Sequence, residues 1–165
     1  MLIIGVDPGL TGAISLINTS NGWLLECADL PTEGNGTETG SMRRWVSTTR
    51  LLALLSTWSQ VHGFAQESVI AAIERPIPMP SLPAQTIASQ FDCFGVVRAL
   101  LGVTCNEVRV VNPREWKKVF GLGSEKDQSR ACALRLYPSA PVTRVKDHNR
   151  AESILLGHFL RMELH

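Results

Sequence analysis

Three apolar runs separated by turn residues open the chain. LIIGVD at 2–7 and GAISLIN at 12–18 flank a Pro-Gly turn, and GWLLECADL at 22–30 follows the turn signal Thr-Ser-Asn-Gly. Short apolar runs between such turns predict β-strands, and connections this short allow only antiparallel neighbours. The N-terminal part therefore predicts a three-stranded antiparallel meander.

The pattern changes to helical spacing after a polar, glycine-rich stretch at 32–40 that predicts a loop. From Met42 to about Val61 the apolar residues, Trp45 among them, recur at the spacing of an amphipathic helix with a buried face. SVIAAIE at 68–74 is continuously apolar, as in a strand buried on both faces, so the helix before it predicts a crossover to a parallel neighbour.

The rest of the chain alternates helix and strand. After the stiff proline-rich loop RPIPMPSLP, we expect a helix from Ala84 to Leu101 that ends at Gly102 and a strand at 107–113. Three helices follow, at 113–120, 124–136 and from about Asp147 onward. This order predicts an α/β protein with a mixed sheet and helices on both faces.

Length and composition support one domain spanning 1–165. With 165 residues and 44% hydrophobic side chains, the chain can bury a core of its own. We find no apolar stretch near the roughly 20 residues that span a bilayer, and no signal peptide. A soluble, cytoplasmic protein without membrane contact is expected.

Two predicted strands end in an acid, Asp7 and Glu74. If these strands are parallel neighbours, both acids lie at the edge of the sheet where α/β proteins place their active crevice. Adjacent carboxylates raise each other's proton affinity unless a cation neutralises them, and oxygen ligands favour Mg²⁺. The pair therefore predicts a hard-metal site, although either acid alone is more often a solvated strand end.

The last helix carries further candidates. His148 and Glu152 are four residues apart and share a helix face. Asp147 begins the helix, where an aspartate serves either as an N-cap or as a ligand.

Charge is distributed unevenly along the chain. Residues 1–108 carry a balance of −4 and residues 109–165 a balance of +5. A basic C-terminal third suits a polyanionic partner, although solvated helix faces also produce such clusters. The candidate phosphate contacts lie around Trp116, itself expected in the core, and just beyond it: Arg114, Lys117, Lys118, Lys126 and Arg130.

Four segments together resemble one family. VDPGLTGA, AIERP, NPREWKKVFGLG and DHNRAES, in this order over nearly the whole chain, resemble the RuvC family of Holliday-junction resolvases, closest to its bacteriophage-type and organellar branch. The resemblance implies an RNase H-like fold with a mixed five-stranded sheet, and a homodimer. It also implies a crossover junction endodeoxyribonuclease that nicks two opposed strands of a four-way DNA junction, with two Mg²⁺ or Mn²⁺ ions per site and no organic cofactor.

The resemblance also assigns residues. Asp7, Glu74 and Glu152 fall on catalytic, metal-binding acids of the family. Classical members have an aspartate where this chain has Asn149, so the remaining ligand is either Asp147 or His148, with helical geometry mildly favouring His148. Further expected DNA contacts are Arg75, Met79, Lys146 and Arg150.

Three other interpretations stay open. The same fold could cut other branched DNA or RNA, because fold does not fix substrate. The strand-Asp-x-Gly-turn-strand opening also resembles the phosphate-binding element of actin-like nucleotide-binding proteins. Asn149 would also be compatible with a junction-binding module that has lost catalysis.

Overall fold

A mixed sheet organises the chain, which a computed structural model describes over residues 1–36, 42–123 and 125–164. In chain order, the strands are β1 (Leu2–Asp7), β2 (Ala13–Asn18), β3 (Leu24–Asp29), β4 (Thr32–Gly36), β5 (Met42–Val46), β6 (Val69–Glu74) and β7 (Glu107–Val111). Five of them form one sheet in the order β3-β2-β1-β6-β7. The meander is antiparallel, as predicted. Strand β6 has the predicted parallel neighbour, which is β1, and β7 is also parallel to β6.

Helices cover both faces of this sheet. One face packs against α1 (Thr48–His62) and α2 (Ala84–Thr104). The other packs against α3 (Pro113–Val119), α4 (Lys126–Leu136) and α5 (His148–Glu163), the last preceded by a 3₁₀ turn at Val145–Asp147. Side chains alternate along β1, so Ile4 and Val6 enter the first core and Ile3 the second. The predicted fold class, a mixed five-stranded sheet between two helical layers, is confirmed.

The region between β3 and α1 differs from the prediction. Where a loop and the start of a helix were expected, β4 and β5 pair as an antiparallel hairpin; residues 37–41 of the expected loop lie outside the described part. The helix begins only at Thr48, after the N-cap Ser47. Trp45 is 38% exposed on β5 and donates its indole N–H to Glu33 at 3.0 Å, so the prediction of a core helix residue was wrong.

Helix α2 also differs from the prediction. It continues through Gly102 to Thr104, because one helical glycine costs only about 1 kcal/mol relative to alanine. With 21 residues, α2 is long and apolar enough to cross a membrane by length and composition alone, contrary to expectation. Asp92 and Arg98 lie within it, where a bilayer would penalise charge, and Val97 packs in the protein core. We therefore describe α2 as a helix of the fold.

Backbone contact sets the position of α5 on the sheet. A Cβ atom on Gly5 of β1 would lie 2.1 Å from the carbonyl oxygen of Ser153 and 2.6 Å from the backbone nitrogen of Gly157. Only glycine at position 5 permits this approach. The contact holds the first turns of α5 close to the end of β1.

Candidate metal centre

Three carboxylates converge at the C-terminal edge of the parallel strands. Val6 of β1 pairs with Ile73 of β6, so Asp7 and Glu74 come next on neighbouring strands. Side chains alternate along a strand, and both acids point to the face covered by α5. Glu152, in the second turn of α5, completes a group whose ligand oxygens all lie within 4.8 Å of one another.

This cluster concentrates negative charge in a partly buried place. Burial raises the pKa of Asp7 well above its ordinary value, and the nearby carboxylates of Glu74 and Glu152 raise it further. Burial also raises the pKa of Glu74, although Lys117 and the Trp116 hydrogen bond oppose that rise. Three converging carboxylates supply the oxygen donors that Mg²⁺ and Mn²⁺ prefer, so the residues present fit a hard divalent cation.

Helices α3 and α4 hold two of these acids. The indole Nε1–H of Trp116 donates to Glu74 Oε2 at 2.7 Å. The hydroxyl of Ser129 donates to Glu152 Oε1 at 3.1 Å, and the Lys117 ammonium lies 3.3 Å from Glu152 Oε2. Trp116 is fully buried, as predicted, but its polar contact was missed; the available signal was that a buried indole N–H requires an acceptor. Ser129 has no comparable signal in the sequence.

The two alternative ligands from the last helix lie outside this group. Asp147 is only 3% exposed, and its carboxylate accepts hydrogen bonds from the backbone and the guanidinium of Arg144, both at 2.8 Å. These contacts lower the pKa of Asp147 to about 2. Within the described residues, neither Asp147 nor His148 contributes a ligand atom to the group that contains Asp7. The structure thus places Asp147 in an ion pair at the start of α5.

Asn149 connects α5 to the turn after β1. Its side-chain amide donates to the Thr11 hydroxyl at 3.0 Å and to the Thr11 carbonyl oxygen. The turn itself is closed by a hydrogen bond of 3.0 Å from the backbone N–H of Gly12 to the carbonyl of Gly9. Asn149 therefore supports the loop that follows Asp7.

Two open grooves share Asp7 in their lining. The first, of about 930 Å³, is lined by Asp7 and Glu74 together with apolar residues (Ile77, Met79, Leu82), which we call its apolar side, and basic residues (Arg114, Lys117, Lys118), which we call its basic side. The second, of about 1120 Å³, is lined by Asp7, the turn at 9–12, residues of β5 and the start of α2. Open grooves of this size suit an extended substrate.

The other predicted DNA contacts divide into two kinds. Arg75 and Lys146 are exposed, and the side chain of Lys126 lies outside the described part. Arg130 pairs with Asp127 at 2.7 Å and donates to the carbonyl of Thr143, whereas Arg150 pairs with Asp29. Both of these arginines are therefore engaged in contacts within the chain.

Comparison with known proteins identifies the class of fold. No protein-family model and no curated protein sequence matches the chain. Among solved structures, T. thermophilus RuvC in complex with a Holliday junction substrate aligns with a TM-score of 0.61 at 12% identity, covering 96% of this chain and 91% of that one. Another Thermus thermophilus RuvC structure gives a TM-score of 0.54 at 16% identity, covering 99% and 97%.

These likenesses establish the architecture of this chain. It has the RNase H-like α/β fold of RuvC, as the resemblance of its motifs predicted.

Proposed function

We propose that this chain is a metal-dependent endonuclease that resolves four-way DNA junctions by paired nicks. The observation that carries the proposal is the convergence of Asp7, Glu74 and Glu152 within 4.8 Å, at the edge of a RuvC-type sheet where two open grooves share Asp7. The structural neighbour bound to a Holliday junction supports the substrate class. In this proposal the chain is a phosphodiester hydrolase acting on DNA.

The three carboxylates would hold Mg²⁺ or Mn²⁺, and we propose two ions in each active site. When bound, such cations lower the pKa of a coordinated water and stabilise charge on the leaving oxygen. The chain contributes the negative charge that attracts the cations and the fixed positions of its acids. In this assignment Asp147 forms an ion pair with Arg144. Because neither Asp147 nor His148 lies in the carboxylate cluster, neither is proposed as a metal ligand.

The basic side of the 930 Å³ groove would hold the DNA backbone. Lys117 pairs with Glu152, while Arg114 and Lys118 are exposed beside it. Basic side chains at such a place bind DNA phosphates and orient the backbone without reading the base sequence. The apolar side, with Ile77 and Met79, would face the bases at the crossover.

Two other exposed residues, Arg75 and Lys146, are further candidates for DNA contacts. Arg130 and Arg150 are no longer proposed as DNA contacts, because each forms an ion pair within the chain.

A homodimer belongs to the same proposal, because two opposed nicks require two active sites. Helix α2 has an apolar surface that the rest of the chain leaves largely uncovered, and it exposes Phe91 and Val103. Two further apolar residues of α2, Val97 and Leu101, are buried in the protein's own core and do not belong to this surface. A second copy would cover the remaining exposed side of α2.

A cleavage panel tests the function. The purified protein is incubated with a synthetic four-way junction, linear duplex, a Y-fork and an RNA–DNA hybrid, each with Mg²⁺, Mn²⁺ or a chelator. Symmetric paired nicks confined to the junction and dependent on metal are expected. Equal cutting of the fork or hybrid would contradict the substrate, and junction binding without any nick would contradict catalysis. ATP binding without nuclease activity would favour the actin-like alternative.

A further inference from the structure

We propose that Trp116 is a positioning residue: its indole N–H fixes the Glu74 carboxylate in the orientation that the divalent cation requires. This inference rests on the proposed function, since it concerns the same carboxylate cluster. In this role a buried tryptophan orients a metal ligand before the metal binds.

The hydrogen bond between these residues is well placed to orient the acid. Trp116 Nε1 lies 2.7 Å from Glu74 Oε2, a short contact for a nitrogen donor. Within the described residues, Trp116 is the one side chain that donates a hydrogen bond to Glu74. A single donor on one oxygen sets the rotation of the carboxylate and leaves the other oxygen for a cation.

The indole itself is held by its surroundings. Trp116 is fully buried, and Phe120 packs against it edge-on, with ring centroids 6.4 Å apart. The Lys117 ammonium lies 5.1 Å from the centroid of the Trp116 ring. Because the ring cannot readily turn, its N–H points at a fixed place, and Glu74 takes its orientation from a rigid neighbour.

The third acid shows a different arrangement. Glu152 receives Ser129 on one oxygen and Lys117 on the other, so its orientation has two supports. Glu74 depends on one. Removing the indole N–H should therefore leave Glu74 free to rotate. Partners that orient metal ligands in this way typically account for about 10- to 100-fold in metal affinity or activity.

The test compares two buried tryptophans on opposite faces of the sheet. Trp116→Phe removes the donor and keeps an aromatic ring, whereas Trp58→Phe makes the same change in the α1–α2 core, away from the acids. Mn²⁺ binding to the free protein, without DNA, is measured by electron paramagnetic resonance. We expect the Kd for Mn²⁺ to rise about 10- to 100-fold in Trp116→Phe and to stay at the wild-type value in Trp58→Phe.

A spectroscopic signal reports the contact directly. The chain has four tryptophans, hence four indole N–H resonances in a ¹⁵N-labelled sample. Titration with Mg²⁺ should shift the Trp116 resonance and leave those of Trp23 and Trp58 in place, and Glu74→Gln should abolish that shift. This response would show that the Trp116 N–H and the cation share Glu74, and the Mn²⁺ affinity of Trp116→Phe then decides whether the hydrogen bond positions the carboxylate.

The outcomes separate this inference from the function on which it rests. If wild-type protein binds no Mn²⁺, the proposed function fails. If wild type binds Mn²⁺ and a folded Trp116→Phe binds it equally well, only the role of Trp116 is overturned. Should Trp116→Phe fail to fold, site-specific benzothienylalanine at position 116 keeps both rings and replaces the N–H by sulfur; unchanged Mn²⁺ affinity there would equally overturn the proposal.

Discussion

The two faces of the central sheet are built from the same strands and have different chemistry. On the face covered by α1 and α2, β1 contributes Leu2, Ile4 and Val6 to an apolar core. On the other face, the alternate positions of β1 end in Asp7, which faces α5. Since strand side chains alternate, shifting the register by one residue would exchange the two sets. A single strand thus supplies both the scaffold and the candidate site.

Burial has different effects on the free energy of folding on the two faces. Apolar burial on the α1–α2 face stabilises the fold without unfavourable charge. On the α5 face, burial raises the pKa of Asp7, which means that ionising it costs free energy in the folded state. Function and stability therefore make opposite demands on the Asp7 carboxylate.

The largest expected effect is on catalysis. Glu74→Gln replaces a charged ligand by a neutral amide, and loss of one member of a catalytic unit typically costs roughly 10⁴-fold in rate. We expect that loss in single-turnover junction cleavage, with junction affinity retained. Glu26→Gln, on β3, is the matched control and should cut at the wild-type rate. Cleavage by Glu74→Gln within tenfold of wild type would contradict the assignment.

Packing of α5 on the sheet gives the next effect. Gly5→Ala would place a methyl group against the backbone of Ser153 and Gly157, and overpacking of this kind costs about 3 kcal/mol or more in the free energy of unfolding. Gly102→Ala in α2 meets no atom within 4 Å and should stabilise the protein by up to about 1 kcal/mol. Urea denaturation measures both; a Gly5→Ala variant as stable as wild type would refute the close approach.

Asp7→Asn should stabilise the metal-free protein. The pKa of Asp7 is higher folded than unfolded, so its unfavourable contribution is absent below the ordinary value of 3.8 and grows as pH rises toward the folded pKa. At pH 7 we expect a gain on the order of 1 kcal/mol, or about 2–4 °C in Tm, that disappears near pH 4. Added Mg²⁺ should stabilise wild type and leave Asp7→Asn unchanged.

Asp147→Asn is the control, because it should change the free energy of unfolding in the opposite direction. Arg144 lowers the pKa of Asp147 to about 2, so its ion pair stabilises the fold above the unfolded value of 3.8 and is lost as pH falls through about 2. This variant should be less stable than wild type at pH 7. Equal pH profiles for the two variants would contradict the contrast between these carboxylates.

The smallest expected effect concerns DNA affinity. Lys118→Ala removes one exposed cation from the 930 Å³ groove, and the slope of log affinity against log salt should fall by about 0.9. Arg98→Ala removes a cation from α2, on the opposite face, and should leave the slope unchanged. Junction binding measured by fluorescence anisotropy at several salt concentrations distinguishes them. Identical slopes for Lys118→Ala and wild type would exclude this lysine as a phosphate contact.

The predictable parts of the molecule are those determined locally. Hydrophobic patterning predicted β1 and β6 and a parallel neighbour for β6, whereas that this neighbour is β1, which places Asp7 beside Glu74, stayed a condition that the structure meets. The β4–β5 hairpin escaped prediction because its pairing depends on partners across a glycine-rich stretch. Likewise, the contact of Gly5 with α5 and the bond from Trp116 to Glu74 join residues far apart in the chain. Periodicity carries no information about such contacts.

In our proposal, Asp7, Glu74 and Glu152 form a divalent-metal centre on the α5 face. The most direct measurement is X-ray diffraction from crystals soaked in Mn²⁺, with anomalous difference maps collected for wild type and Asp7→Asn. We expect strong anomalous density between the three carboxylates in wild type and its loss in Asp7→Asn. Density located only elsewhere, or an empty carboxylate cluster in Mn²⁺-soaked wild type, would contradict it.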